Sequence, residues 1–209
     1  EYVELRGLRY LVIPAFIRPA DDPSISPDGI EFVYGDFPKE SALIRQQADA
    51  VRMAFPDVMV MFHVAHSLWA TNKPDEIFPD SKVILANGEQ DYWPPNTNYF
   101  SQERLDQGWS WPIYYPTPGN SFHDALIKSI DVIVDDLGCN AVFMDGFLWG
   151  YYRGRWTYDR WDQLSADIDA DTHEITRRKA SVLWLSQPSM IQFARRVRDK
   201  GGAVVANNS

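Results

Sequence analysis

Five short runs of consecutive apolar residues constrain this chain more than any other feature. They are Tyr10–Phe16 (YLVIPAF), Val58–Ala65 (VMVMFHVA), Lys82–Asn87 (KVILAN), Ala141–Asp145 (AVFMD) and Ala203–Asn207 (AVVAN). Continuous rather than alternating hydrophobicity is the pattern of strands covered on both faces. Between the runs the period becomes helical. Lys39–Phe55 carries Leu43, Ala48, Val51 and Phe55 and stops before Pro56. Ser121–Leu137 opens on Ser121 with Asp124 in a capping-box-like arrangement, shows Leu126, Ile127, Ile130, Ile133, Val134 and Leu137 on one face, and stops at Gly138. Gln187–Lys200 has Pro188 in its permissive first turn and a stripe of Ile191, Ala194 and Val197, and Gly201-Gly202 releases the chain into the next strand. Helix, glycine, turn and buried strand therefore recur at 121–145 and 187–207. That is the rhythm of βαβ units, and the fold class it predicts is α/β with a parallel sheet.

Two segments break the rhythm. Gly88–Asn120 and Gly146–Lys179 each exceed thirty residues, against roughly 2–6 for an ordinary βα connection, which marks them as functional loops. Each begins where a strand ends. They also hold most of a high aromatic load, 14% of the chain with 8 Trp and 10 Tyr. Tyr92, Trp93, Tyr99, Phe100, Trp109, Trp111, Tyr114 and Tyr115 lie in the first loop. Phe147, Trp149, Tyr151, Tyr152, Trp156, Tyr158 and Trp161 lie in the second. Part of these rings is expected to be ordinary loop packing.

Parallel α/β proteins build their sites at the carboxyl ends of the strands. Here those ends carry His63 and His66, Asn87 and Glu89, Asp145, and Asn207 with Asn208. Asp145 is the sharpest candidate, because four apolar residues precede it and Gly146 and an aromatic-rich loop follow. If it points inward, pleating puts Ala141 and Phe143 on its face and Val142 and Met144 against helices. By the same alternation Val83, Leu85, Asn87 and Glu89 share a side. A carboxylate at an aromatic rim suits sugar chemistry: glycosidic cleavage passes through an oxocarbenium-like state that one carboxylate stabilises or traps while a second carboxyl protonates the leaving oxygen. Aromatic faces cover the apolar faces of sugar rings.

Other chemistries find less support. With 29 acidic against 20 basic side chains the net charge is −9, which argues against a nucleic-acid partner. The clusters Arg177-Arg178-Lys179 and Arg195-Arg196 are expected to be solvated helix faces. No run of ~18 apolar residues exists, so no membrane insertion is expected. A lone Cys139 excludes an internal disulfide and a multi-thiolate zinc site, and reads as small apolar filler. His63 and His66, three apart on an extended strand, fall on opposite faces and make poor joint metal ligands. Adding His123, His173 and Asp145 imitates a metallohydrolase, but no H-E-x-x-H is present. Asp167, Asp169 and Asp171 copy the start of a calcium loop, yet Thr172 and Arg178 occupy its glycine and terminal-Glu positions. G-x-S-x-G, P-loop and G-x-G-x-x-G patterns are missing.

The segment Gly138–Phe147 (GCNAVFMDGF) resembles the fourth-strand region of (β/α)8-barrel glycoside hydrolases of the broad alpha-galactosidase and alpha-glucosidase kind, in which a helix–Gly–strand unit delivers the catalytic Asp. The likeness is close over this segment and loose in strand order elsewhere. It implies a parallel (β/α) barrel, here a partial TIM barrel with about five of eight strands. It also implies Asp145 as nucleophile of a retaining mechanism. The general acid in such enzymes comes from a later strand, and only one run follows Asp145, so the acid lies beyond residue 209 or is Glu89. The expectation is one barrel-type catalytic domain over 1–209, a piece of a longer protein; the rival is an open parallel sheet complete as it stands. The expected activity is glycoside hydrolysis of a poly- or oligosaccharide, with Asp145 and Glu89 catalytic and His63, His66, Trp93, Trp111, Trp149, Tyr152 and Asn207 holding the carbohydrate substrate. No cofactor or metal is expected, and an extracellular or periplasmic location follows only from a polymeric substrate. The alternatives are a non-catalytic carbohydrate-binding barrel protein and a metal-dependent, deacetylase-like hydrolase using His63, His66 and Asp145.

Overall fold

Four of the five apolar runs carry the strands of one parallel sheet. The computed structural model describes residues 7–13, 38–69, 71–93, 102–146 and 155–206. In chain order the elements are β1 (Tyr10–Ile13), α1 (Pro38–Ala54), β2 (Met59–Ala65), β3 (Tyr92–Trp93), α2 (Gln102–Asp106), β4 (Trp111–Pro112), α3 (Ser121–Asp131), β5 (Ala141–Asp145), β6 (Trp156–Thr157), β7 (Ala166–Ile168), β8 (Ile175–Arg178), β9 (Ala180–Ser181), α4 (Val182–Asp199) and β10 (Ala203–Ala206). The main sheet runs β1-β2-β5-β10, with every neighbouring pair parallel. Successive strands thus add on one side without a reversal of order.

The two faces of this sheet differ, as period-two pleating requires. Ile13, Val60, Phe62, Val64, Val142, Met144 and Val204 meet Ala48 and Val51 of α1, Leu126 and Ile130 of α3, and Phe193 and Val197 of α4 in one apolar cluster. All three long helices therefore cover the same face. Met61, His63, Ala65, Ala141, Phe143, Asp145, Ala203 and Val205 alternate with those residues and share the other face by register. The helix-covered core supplies most of the stability. Truncating a buried ring such as Phe193, only 2% exposed, costs about 3–5 kcal/mol.

The helix ends show how the units are joined. Asn120, not Ser121, caps α3: its Oδ1 accepts from the His123 N–H at 2.9 Å. Ser121 instead donates its hydroxyl to Asp80 at 2.5 Å, tying the helix start to the preceding segment. After Asp131 the helix widens into a π-helical stretch at Val132–Asp136, where the Leu137 N–H reaches Val132 O at 2.9 Å. The carbonyls released there are met by α1. Arg45 donates to Asp135 O at 2.9 Å, and Arg52 donates to Gly138 O at 3.0 Å. Gly138 then turns with φ of +70°, a left-handed value that favours glycine.

Several expectations change. The strand expected at Tyr10–Phe16 is seen as Tyr10–Ile13, residues 14–16 lying outside the described residues. Lys82–Asn87 does not join the parallel sheet. It folds back on itself, with Leu85 N–H donating to Glu89 O at 2.7 Å and an Ile84–Gln90 antiparallel bridge, and Lys82 bridges to Tyr114. Asn87-Gly88 at the bend, with Gly88 at φ +88°, is a hairpin signal that outranks the apolar run. The helix expected at Gln187–Lys200 starts earlier, because Ser181 caps it. Pro188 is consequently inside α4. The buried stripe is Val182, Ser186, Met190, Phe193 and Val197, while Ile191 is exposed. Arg177 and Arg178 stand on β8 and Lys179 follows them, so this basic cluster is not a helix face; Arg195 and Arg196 are exposed on α4 as expected.

Both long segments contain small antiparallel pairs. β3 pairs with β4, β6 with β9, and β7 with β8. Among the described residues no helix is long and apolar enough to cross a membrane.

Asn120 also donates to Tyr115 O at 2.8 Å and accepts from the Thr117 N–H at 3.2 Å. Asn120→Ala is therefore expected to lower stability by about 1–2 kcal/mol, measured by urea unfolding. An unchanged midpoint would contradict the assigned cap.

Candidate active site

Asp145 is the last residue of β5, at the carboxyl edge of the sheet and on the face turned away from the helices. Parallel register sets its neighbours: His63 lies beside Phe143, and Ala65 beside Asp145. Side chains on a strand lean along its direction. The small Ala65 leaves room for the His63 ring to lean forward over it. His63 Nε2 comes within 3.4 Å of Asp145 Oδ2, while its ring stacks on Phe143 with centroids 5.5 Å apart. The other carboxylate oxygen, Oδ1, accepts from the Gly146 N–H at 3.0 Å. The His63 side chain is 11% exposed and that of Asp145 36%. The carboxylate is thus half sheltered, with a buried imidazole on one side.

His66 reaches the same residue by another route. It lies one position past the end of β2, so strand alternation no longer governs it, and its Nδ1 is 3.4 Å from the Asp145 carbonyl oxygen. A carbonyl only accepts, so this contact selects the Nδ1–H tautomer. Burial pushes the His66 imidazole down to about 4, against the opposing pull of the Asp145 carbonyl and charge. His66 is therefore neutral at ordinary pH. The expectation that the two histidines diverge is corrected: both converge on Asp145, one on its carboxylate and one on its backbone.

The remaining candidates are distributed as follows. Glu89 stands on the exposed hairpin bend, its carboxylate accepting from Asn87 Nδ2 at 2.7 Å. Since the 82–87 segment is not a strand of the parallel sheet, Glu89 is not at one of its carboxyl ends. Trp93 and Trp111 face each other across β3 and β4. Trp111, 4% exposed, belongs to the main apolar cluster, and Trp93 packs against it. Trp109, Tyr114 and Tyr115 are likewise buried. Trp149, Tyr152 and Asn207 lie outside the described residues. His123 is held between helices, its Nδ1 2.8 Å from Ser189 Oγ. Among the described residues no three His, Cys, Asp or Glu side chains are grouped so as to hold a metal ion.

The second long segment is organised by contacts that apolar patterning does not reveal. Arg177 lies over the Tyr158 ring at 4.6 Å, Arg178 over Trp161 at 4.5 Å and Lys179 over Trp156 at 4.4 Å. Three successive cations thus cover three rings, each a favourable cation–π contact. Lys179 also pairs with Asp167. Asp162 gathers the Leu164, Ser165 and Ser181 N–H groups at 2.9, 2.7 and 2.8 Å. Burial opposes its ionisation, but these bonds, with the Ser165 hydroxyl, prevail and hold its carboxyl at about 2.

No known family model matches the chain, and no curated protein matches its sequence. The site must be read from its own geometry.

His66 carries a pH prediction. Its value in the fold, about 4, lies below the 6.5 usual for histidine, so between these pH values the unfolded chain binds more protons. Stability is then fully present above about 6.5 and is lost as pH falls toward 4, by on the order of 3 kcal/mol at most. His123, also lowered by burial, acts in the same sense. Urea unfolding across this range should show a decline in the native chain that is shallower in His66→Gln. Equal slopes would refute the assignment.

Proposed function

We propose that this chain is a (β/α)-barrel-type catalytic unit of a glycoside hydrolase, with Asp145 as the group that attacks or stabilises the anomeric carbon. The observation that carries the reading is the placement of Asp145: carboxyl end of a parallel strand, face opposite the helices, imidazole alongside. Support for the barrel comes from the described residues, where strand order is unreversed and the long helices cover one face, since a doubly wound sheet reverses order and takes helices on both.

In the retaining form of the reaction, a carboxylate oxygen of Asp145 forms a bond to the anomeric carbon. The bond to the leaving oxygen breaks, its electron pair stays on that oxygen, and a second carboxyl supplies the proton. Water then attacks the same carbon, gives a proton to the second carboxylate, and frees Asp145. The half-sheltered position suits a group that must be ionised yet only partly solvated. The acid is a separate matter. Glu89 stays the candidate within this chain although its bend lies off the parallel sheet. Its role has a selective signature, because an activated aryl leaving group needs little protonation and a sugar leaving group needs it fully.

The test uses the protein expressed from its complete reading frame, assayed against aryl glycosides and oligosaccharides. Asp145→Asn is expected to lower kcat by at least about 10²–10⁴-fold, the range for loss of one reacting carboxyl, while sugar binding persists. Undiminished turnover would overturn the reading. Glu89→Gln should spare aryl glycosides and cripple oligosaccharide cleavage; equal effects on both substrates would remove Glu89 from the mechanism.

A further inference from the structure

Both histidines at the end of β2 bear on Asp145, and their contacts differ in kind. His66 holds the peptide carbonyl and is neutral. His63 lies against the carboxylate itself, and its ring is fixed on the opposite side by Phe143. From this arrangement we infer that His63 is a positioning residue for Asp145 rather than a contact for substrate, fixing the carboxylate rotamer through Nε2 while Gly146 N–H holds the other oxygen. The inference rests on the proposed role of Asp145 but concerns a physical coupling that exists without any substrate.

Three features favour it. The parallel register makes His63 and Asp145 diagonal neighbours on one face, with Ala65 directly beside Asp145. The His63 side chain is 11% exposed, far less than that of Asp145 at 36%; a ring so covered is better placed to hold its neighbour than to greet a ligand. The Phe143 stack restricts its rotation, so the 3.4 Å contact of Nε2 with the carboxylate is kept at little further entropic cost. A donor on a carboxylate favours the charged form. His66, just past the end of β2, also faces this pair, through the Asp145 carbonyl.

His63→Gln keeps a donor of shorter reach, and His63→Phe keeps the stack while deleting the donor. In the complete protein labelled with 13C at aspartate, the Asp145 carboxyl resonance is assigned by its loss in Asp145→Asn and titrated. The midpoint is expected at higher pH in His63→Phe than in the native chain, with His63→Gln between them. Turnover in His63→Phe should fall by about 10- to 100-fold, the worth of one hydrogen bond to a charged group, with KM nearly unchanged. An unmoved midpoint overturns the inference whatever the activity. A raised KM with unchanged kcat overturns it in favour of a substrate contact. If the midpoint moves and no glycoside is turned over by the native protein, the coupling stands and the glycosidase reading fails.

Discussion

The register between β2 and β5 is the constraint on which the site depends. Pairing Ala65 with Asp145 puts the smallest side chain of β2 beside the carboxylate and His63 two residues behind it. A slip of one residue would exchange the faces of a strand, moving His63 into the helix-covered core and Val64 beside the acid. That slip is opposed from the other side of the sheet, where Val60, Phe62 and Val64 are buried with Val142 and Met144 under the helices. The apolar packing that holds the fold together thus also sets the position of the polar pair.

Longer-range ties keep those strands at fixed spacing. Asn140, just before β5, accepts from the Val60 N–H at 2.8 Å, and its own N–H donates to Val60 O at 3.1 Å. Gly202 enters β10 where a Cβ would stand 2.9 Å from the Asn140 carbonyl oxygen, so the approach of β10 to β5 at that end leaves room only for glycine. On the far side, Arg196 of α4 and Lys200 just after it reach Asp131 at 2.8 and 3.0 Å. Pairs of this kind near the surface add little energy individually.

Much of this was legible in the chain itself, and the failures have physical causes. The alternation in AVFMD correctly separates Val142 and Met144, against helices, from Phe143 and Asp145, because a strand has a strict period. His66 escapes that logic, since it stands beyond the last residue of β2. Lys82–Asn87 has strand-like hydrophobicity but ends in Asn87-Gly88, and the turn there brings round antiparallel partners, Glu89 for Leu85 and Gln90 for Ile84. The start of α4 was missed because Pro188 looked like a first-turn residue, whereas the cap at Ser181 leaves it inside the helix, where burial of Val182, Ser186 and Met190 outweighs one absent hydrogen bond. The aromatic residues were read by type, and type does not reveal whether a ring is displayed, as Trp161 partly is, or enclosed, as Trp111 and Tyr114 are.

The stacked cations of the second long segment have one more consequence. A protease that cuts after arginine or lysine must draw the basic side chain into its own pocket. At positions 177 to 179 it meets three adjoining cleavage points whose side chains already lie on Tyr158, Trp161 and Trp156. Arg177 and Arg178, exposed on β8, are thereby shielded by occupancy, and cleavage there would report the peeling of these side chains from their rings.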